Sequence, residues 1–513
     1  MPHAPIALNL SPPAAFCPRL ADAGLPILQR VRMIGGRAET WKGGWCGPMA
    51  CYRLKRPWAL RGWDKLPYAL VDVDAKRTLF VSRPEFEALA LCDGSVDTDW
   101  GFVAPATRDL VRKIAERGFV EPCADGASVE DWQRYRTYDC RYVKMAHWSV
   151  TGRCNYRCKH CYMSAPDAKY GELSHETCMR VIDELADCGV YRMSITGGEP
   201  LVRADFWELV DHMLERGMRI MVIYSNGALV DDAFLDGLEA RGIRPEINMS
   251  FDGVGWHDWL RGVPGAEDAV VAAFARCQGR GFPTGAELCL HRGNRDCLRE
   301  SVRLLASLGV GHLKTNPISD VGNWAEQGAG LSLSVEETLE TYLDYVPRYF
   351  EDGSPMTVQL GGFFMCRKGE RVWRDVSRRF CGTEDALSAY VCGHARQVAY
   401  ISADGRVLPC MALSGMDAQE RFPLVTERGL KACLSDSSFI DMVTLSLDDY
   451  LAANPECRAC EHRFSCGAGC RASALSAHPG AWLAKDEVFC TMYRGGYRAR
   501  LEQLLDELGI PKG

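Results

Sequence analysis

The chain has no run of about 18 consecutive apolar residues, so a transmembrane helix is not expected. It has no excess of basic charge either: 60 Lys and Arg against 67 Asp and Glu give a formal charge of −7. That balance gives no support to broad nucleic-acid binding through a basic surface. The opening MPHAPIALNLSPPAAFCPRL lacks a basic stretch followed by an apolar one, so no secretory signal is read. Nor is the chain poor in hydrophobic residues, which make up 47% of it, and general disorder is excluded. At 513 residues, and about 150 residues per domain, roughly three domains are expected.

What the chain does have is cysteine, 24 residues in all. In a small secreted protein this abundance would mean a disulfide framework. In a long chain with a full-sized core and no export signal, metal clusters are the better reading, and the compartment expected is a reducing cytoplasm. The cysteines are unevenly placed. A tight triplet, Cys154, Cys158 and Cys161, stands about 200 residues before a dense group between Cys366 and Cys490.

Between them, apolar strands alternate with amphipathic helices. KMAHWSV (144–150), YRMSIT (191–196), RIMVIY (219–224), EINMSF (246–251), GAELCL (285–290) and GHLKTN (311–316) read as six strands. Ser174 is a plausible N-cap for a helix reaching Cys188, and a second helix is expected near 204–216. This pattern gives the fold class α/β, a partial (β/α)6 barrel of TIM type, with its site on loops at the C-terminal strand ends.

TGRCNYRCKHCY spaces three thiols as C-x3-C-x2-C. Three thiolates can hold three irons of a 4Fe–4S cluster and leave the fourth open. A structural zinc site needs a fourth ligand. The next strand ends in Thr196-Gly197-Gly198-Glu199-Pro200, where two glycines permit close backbone approach and Glu199 can accept hydrogen bonds from an ammonium group. The third strand ends in Tyr224-Ser225-Asn226-Gly227 and the fourth in Ser250-Phe251-Asp252-Gly253.

With these motifs in this order, residues 144–320 resemble the radical S-adenosylmethionine superfamily. The resemblance implies that Cys154, Cys158 and Cys161 bind a 4Fe–4S cluster whose open iron is chelated by S-adenosylmethionine. His160 stands where the family has an aromatic residue near the adenine, and Gly197, Gly198 and Glu199 match the motif holding the methionine amino group. Ser225, Ser250 and Asp252 fall where ribose or carboxylate is bound. Arg261, in HDWLR, reads equally as a contact to the cofactor carboxylate or as a surface salt bridge. No general base stands out by pattern. Cys178, Cys188, Cys277, Cys289 and Cys297 sit in strand or helix patterns and read as core thiols.

Farther on, Cys392-x12-Gly405-x4-Cys410 precedes Cys457-x2-Cys460-x5-Cys466-x3-Cys470 and Cys490. This series resembles the SPASM extension of radical S-adenosylmethionine enzymes, which carries two auxiliary 4Fe–4S clusters. The resemblance assigns Cys392, Cys410 and Cys470 to the first and Cys457, Cys460, Cys466 and Cys490 to the second. Cys381 is expected to complete the first, with Cys366 as runner-up.

Residues 66–122 resemble the RiPP recognition element, a winged-helix-like module that binds a leader peptide. Two strands are expected over 66–82, a helix over 84–97, and a second helix from 106 closing at Gly118. The expected order is an N-terminal extension (1–65), the peptide-binding module (66–125), the barrel (140–325), a connecting helical segment (326–380), the cluster-bearing extension (381–495) and a C-terminal helix (496–513). The resemblance implies an enzyme that cleaves S-adenosylmethionine to a 5′-deoxyadenosyl radical and crosslinks a ribosomally made precursor peptide, with a thioether as the first choice of bond. It implies an electron donor such as flavodoxin or ferredoxin, and neither nucleic acid nor membrane as partner. Alternatives are an anaerobic sulfatase-maturing enzyme and a non-catalytic iron–sulfur electron carrier.

Overall fold

A computed structural model describes residues 51–513 except 64–65, 75–76, 125, 139–142, 166–168, 319, 329 and 377–383. Cys381 lies outside the described residues.

Residues 51–138 build two small sheets and a helix pair. Strands β1 (Cys51–Leu54), β2 (Trp58–Trp63), β3 (Leu66–Asp72) and β4 (Arg77–Phe80) lead into helix α1 (Arg83–Leu91). Then come β5 (Asp93–Asp97), α2 (Pro105–Glu116), β6 (Val120–Cys123) and β7 (Arg136–Tyr138). The sheet orders are β5-β1-β6 and β4-β3-β2-β7. Ser82 and Glu85 form a capping box that starts α1. The helix expected over 84–97 ends at Leu91 because Gly94 takes φ +84° and residues 93–97 pair with β1 instead. Two strands, β1 and β2, precede residue 66 and belong to the same sheets. Phe86, Leu89, Val111 and Ile114 from the two helices close on Leu54, Leu60 and Leu70.

The main sheet carries the six expected strands: β8 (Met145–Ser149), β9 (Arg192–Thr196), β10 (Arg219–Ser225), β11 (Glu246–Ser250), β12 (Thr284–Leu290) and β13 (His312–Pro317). They are parallel neighbours in that order. Helices α3 (His175–Asp187), α4 (Phe206–Glu215), α5 (Asp232–Ala240), α6 (His257–Arg261), α7 (Ala266–Gly279) and α8 (Leu298–Ser307) fall between the strands. Ser174 caps α3 by accepting from the Thr177 amide, as its position predicts. Past residue 326 the chain is not only helical. After α9 (Val335–Glu351), β14 (Thr357–Leu360) adds in parallel to β13, and β15 (Phe364–Cys366) and β16 (Trp373–Arg374) follow antiparallel. On the opposite side β17 (Val398–Ile401) adds in parallel to β8, with β18 (Val407–Leu408) beyond it. The segment expected to bear the auxiliary clusters is thus joined to the barrel sheet by its first strand. A terminal helix, Tyr497–Glu507, closes the chain.

Strand alternation divides the barrel into two faces. Ala146, Trp148, Met193, Ile195, Ile247, Met249, Ala286, Leu288 and Leu313 enter the core beneath the helices. Their neighbours His147, Ser194, Asn248, Glu287 and Lys314 occupy the other face. A parallel sheet buried on both sides normally reads as continuously apolar. The polar inner face therefore marks a chamber rather than a sealed core. No helix among the described residues is long and apolar enough to cross a membrane.

Candidate functional site

The loop after β8 carries the cysteine triplet and is stitched to its surroundings by backbone hydrogen bonds. Gly198 N donates to Thr151 O at 2.8 Å and Glu199 N to Arg153 O at 2.9 Å. On the far side, Lys159 N donates to Leu260 O at 2.9 Å and Asn323 N to Cys161 O at 3.0 Å. The approach to β9 is so close that a Cβ on Gly198 would lie 2.1 Å from Arg153 O and 3.1 Å from Cys154 Cβ. Glycine there is a steric requirement of the loop.

The three sulfurs face one another closely enough to interact electrostatically. Cys154 Sγ accepts from Tyr156 N at 3.4 Å, Cys161 Sγ from Ala165 N at 3.3 Å, and Cys158 Sγ from Arg261 Nη1 at 3.6 Å. Burial pushes the Cys154 thiol up to about 12 and raises Cys158 against the pull of Arg261. Free thiols in so dry a place stay protonated, whereas a coordinated metal deprotonates them. The donor set, three convergent sulfurs with amide and guanidinium donors already pointing at them, fits an iron–sulfur cluster.

Glu199 is fully buried. Its carboxylate accepts from Asn226 N at 2.7 Å, from Leu201 N at 3.2 Å, and from Ser225 Oγ at 3.1 Å to each oxygen. Burial nevertheless lifts its carboxyl to about 7. The Ser225 hydroxyl is therefore engaged with Glu199. Asn226, which sequence reasoning passed over, also reaches Asn155 Oδ1 at 2.7 Å and so ties the end of β10 to the cysteine loop.

Asp252 is also fully buried, and it does not stand free. It accepts from Arg261 Nε at 2.7 Å and from Cys289 N at 3.1 Å. Burial acts to raise its carboxyl, but the Arg261 guanidinium overrides this and holds it well below the usual range. Arg261 is only 8% exposed, so the surface salt bridge considered for it is replaced by a buried pair. His160 lies beside these groups. Burial lowers its imidazole to about 3, which keeps it neutral, and its Nδ1 is buried without a hydrogen-bond partner. Ligand atoms of His160, Asp252 and Cys289 lie within 4.8 Å of one another. Cys289 is thus on the inner face, not in the helix-side core. The alternation in GAELCL, with Ala286, Leu288 and Leu290 outward, was the available signal. Ser250 ends β11 on the same inner face.

The C-terminal cysteines fall into two groups. Cys392, Cys410 and Cys470 interact with one another, and burial pushes Cys410 up to about 12. Cys470 N donates to Asp486 Oδ2 at 2.7 Å, while Asp486 also caps the helix Glu487–Arg494. Cys457, Cys460, Cys466 and Cys490 line one cavity of about 50 Å³. That is several times the ~10–15 Å³ one water needs. Cys366 joins neither group. It is buried on β15, with Sγ donating to Glu370 O at 3.3 Å and Tyr349 alongside.

Comparison with known proteins agrees with this geometry. Residues 148–305, from β8 into α8, match the Radical SAM superfamily. The AdoMet-dependent heme synthase of Methanosarcina barkeri is 26% identical over 69% of this chain and 97% of that protein. The PqqA peptide cyclase of Granulibacter bethesdensis is 28% identical over 64% of this chain and 82% of that protein. Among solved structures, Streptococcus suis SuiB bound to precursor peptide SuiA aligns with a TM-score of 0.60 at 14% identity. That alignment covers 85% of this chain and 99% of SuiB, and at such identity it speaks to the fold. The family match falls on the same strands and cysteine loop that hold the buried Glu199 and Asp252, and on that ground the chain carries a radical SAM domain, of a superfamily that works with a 4Fe–4S cluster and S-adenosylmethionine.

Proposed function

We propose that this enzyme is a peptide maturase that forms an intramolecular crosslink, a thioether first, in a ribosomally made precursor. In this reading Cys154, Cys158 and Cys161 hold the catalytic 4Fe–4S cluster. Gly197, Gly198 and Glu199 hold the methionine end of S-adenosylmethionine, and His160, Ser250 and the Arg261–Asp252 pair shape the remainder of its seat. A cluster bound there supplies the electron that cleaves the sulfonium and yields a 5′-deoxyadenosyl radical. Two further clusters belong to Cys392, Cys410 and Cys470, with Cys381 as the candidate fourth ligand, and to Cys457, Cys460, Cys466 and Cys490. A flavodoxin or ferredoxin in a reducing cytoplasm is the expected electron source.

The observation that carries the peptide reading is the module at residues 51–138. Its four-stranded sheet has β4 at one edge and its three-stranded sheet has β5 at one edge, and α1 packs against β3 and β5. An extended leader can add to such an edge through main-chain hydrogen bonds. The relative named PqqA peptide cyclase supports the same substrate class. A second reading, a porphyrin substrate, is favoured by the 26% identity to a heme synthase along nearly its whole length.

One assay separates them. Anaerobically reconstituted enzyme is incubated with S-adenosylmethionine, a reductant and either a cysteine-containing precursor peptide or a porphyrin. The expected result is 5′-deoxyadenosine together with a peptide lighter by two hydrogens. A peptide of unchanged mass, with porphyrin consumed, would replace the proposal with the second reading.

A further inference from the structure

The chamber carries a cation without a counter-ion. Lys314 alternates along β13 with Leu313, which enters the core, and Thr315, which bonds the Tyr342 hydroxyl of α9. Its own side chain therefore enters the chamber. In register beside it stand Glu287 on β12 and Gln359 on β14, with Ser250 next to Glu287 on β11. All four keep part of their surface open, although strands flank them on both sides. The register invites a Lys314–Glu287 ion pair, and none forms. Glu287 instead accepts from Asn316 Nδ2 at 3.3 Å, and burial raises its carboxyl while Lys314 opposes the rise. Gln359 turns to its own strand end, donating to Gly361 O at 3.1 Å. Among the described residues the Lys314 ammonium has neither a hydrogen bond nor an ion pair.

An imidazole faces it across the lumen. His147 leaves β8, the other end of the six-strand series, yet its ring feels the Lys314 charge. Strands β9 to β12 separate the two along the sheet, so this proximity runs through the chamber itself. The ring is held in place by Tyr224, stacked at 5.0 Å, and by Tyr400, edge-on at 5.6 Å. Burial, with His394 and Lys314 adding to it, lowers the imidazole to about 4. Near neutral pH the ring is therefore uncharged and carries one N–H. Its Nε2 is buried and has no hydrogen-bond partner. The Cys410 thiol is a further group that feels the Lys314 charge, and burial keeps it protonated.

We propose that the Lys314 ammonium and the His147 N–H form a seat for one carboxylate of the substrate. In the peptide reading, on which this rests, the group is a glutamate or aspartate side chain of the precursor. In the porphyrin reading it is a propionate. Buried polar atoms are rarely left without a partner, and the orphaned Nε2 beside an unpaired cation asks for an anionic acceptor. A carboxylate offers two oxygens, one for each donor, and bonds to a charged group are the strong ones. One cation balances one negative charge, and Glu287 beside it disfavours a second, which selects a carboxylate over a phosphate dianion. The ring can keep its proton on Nε2, where no protein group competes for it. Both donors stand on strands of the barrel, so the seat fixes where the bound substrate lies in the chamber.

The experiment is calorimetry on the reconstituted holoenzyme with paired probes. One pair is a capped alanine tripeptide with a central glutamate and its glutamine twin. The other is a porphyrin bearing propionates and its methyl ester. The glutamate peptide should bind about 10-fold more tightly than its twin. Lys314→Met should erase that preference and Lys314→Arg should keep it. His147→Phe, which preserves the stack on Tyr224, should weaken the acid several-fold. In the wild type the acid should also shift the His147 ring nitrogens by NMR, a readout that needs no variant. Since Lys314 gives up no partner, Lys314→Met should keep the thermal midpoint and iron content of the wild type. A fall in iron would assign the ammonium to the Cys392, Cys410 and Cys470 group and overturn the seat. Equal affinity for acid and neutral twin in both pairs, no binding of either acid, or a preference that survives Lys314→Met overturns it too. A Lys314-dependent preference confined to the porphyrin pair keeps the seat and removes the peptide reading.

Discussion

Arg261 donates to the Asp252 carboxylate at 2.7 Å and, with a second nitrogen, reaches Cys158 Sγ at 3.6 Å. One guanidinium thereby links the end of β11 to the cysteine loop. Removing it leaves Asp252 buried with only the Cys289 amide and the His257 ring, 3.5 Å away, to answer its charge, a loss approaching about 3 kcal/mol. Arg261→Met should lower the urea midpoint accordingly, and adding Asp252→Asn should recover part of the loss. The sign with pH follows from the depressed Asp252 carboxyl. The pair's stabilisation is full above about pH 4, where an unfolded aspartate ionises, and declines as pH falls. In Arg261→Met that decline should be smaller, because His257 and the Cys289 amide still face the carboxylate.

Glu199 behaves in the opposite sense. Its carboxyl is lifted to about 7 by burial, so at pH 6 most of it is neutral. If it holds the methionine ammonium, affinity for S-adenosylmethionine should rise as pH passes upward through about 7. Well below that point it should weaken by nearly ~10-fold per unit. Calorimetry at pH 6 and 8 tests this, and Glu199→Gln should bind weakly with little pH dependence. Without ligand, the protein itself loses stability as pH rises through the same window, because the folded carboxyl retains a proton that the unfolded one has released.

The parts legible in the sequence were those written in local pattern. Six strands and the helix cap at Ser174 followed from alternation and a single hydroxyl, and the cysteine loop from spacing. The illegible parts depend on neighbours distant in sequence. Ser225 reads as a free hydroxyl until β9 and β10 are set side by side and its oxygen meets Glu199. Arg261 reads equally as a cofactor contact or a surface salt bridge until the turn after β11 folds Asp252 onto it. Strand β17 joins the barrel only by pairing with β8, some 250 residues earlier, which no local period announces. Cys289 was read as a core thiol, although its inner-face position was written in the two-residue repeat that turns Leu288 and Leu290 outward.

Gly198→Ala tests the close approach at the cysteine loop. Its Cβ would meet backbone, Arg153 O, rather than a side chain that can swing away. The loop must shift, and the Glu199 N to Arg153 O hydrogen bond shifts with it. The expected outcome is a folded protein with near-native far-ultraviolet circular dichroism and lowered affinity for S-adenosylmethionine. Native affinity in that variant would show that the loop tolerates displacement.

The two C-terminal cysteine groups predict a pattern of iron contents. If each holds a 4Fe–4S cluster beside the one proposed for Cys154, Cys158 and Cys161, the chain carries about 12 irons. Cys457 and Cys460 both line the 50 Å³ cavity with Cys466 and Cys490. Replacing both with alanine leaves two thiols there, too few to hold a cluster, so iron should fall to about 8 per chain. The cavity is small and closed around by Tyr450 and Phe489, and the loss should stay local. Cys366→Ala provides the contrast. Its sulfur bonds the Glu370 carbonyl within the barrel core, so the variant should keep about 12 irons while losing about 1 kcal/mol of stability. If iron instead dropped by about four on losing Cys366, that thiol would have to leave β15 to serve the group at Cys392, Cys410 and Cys470, against the placement described above.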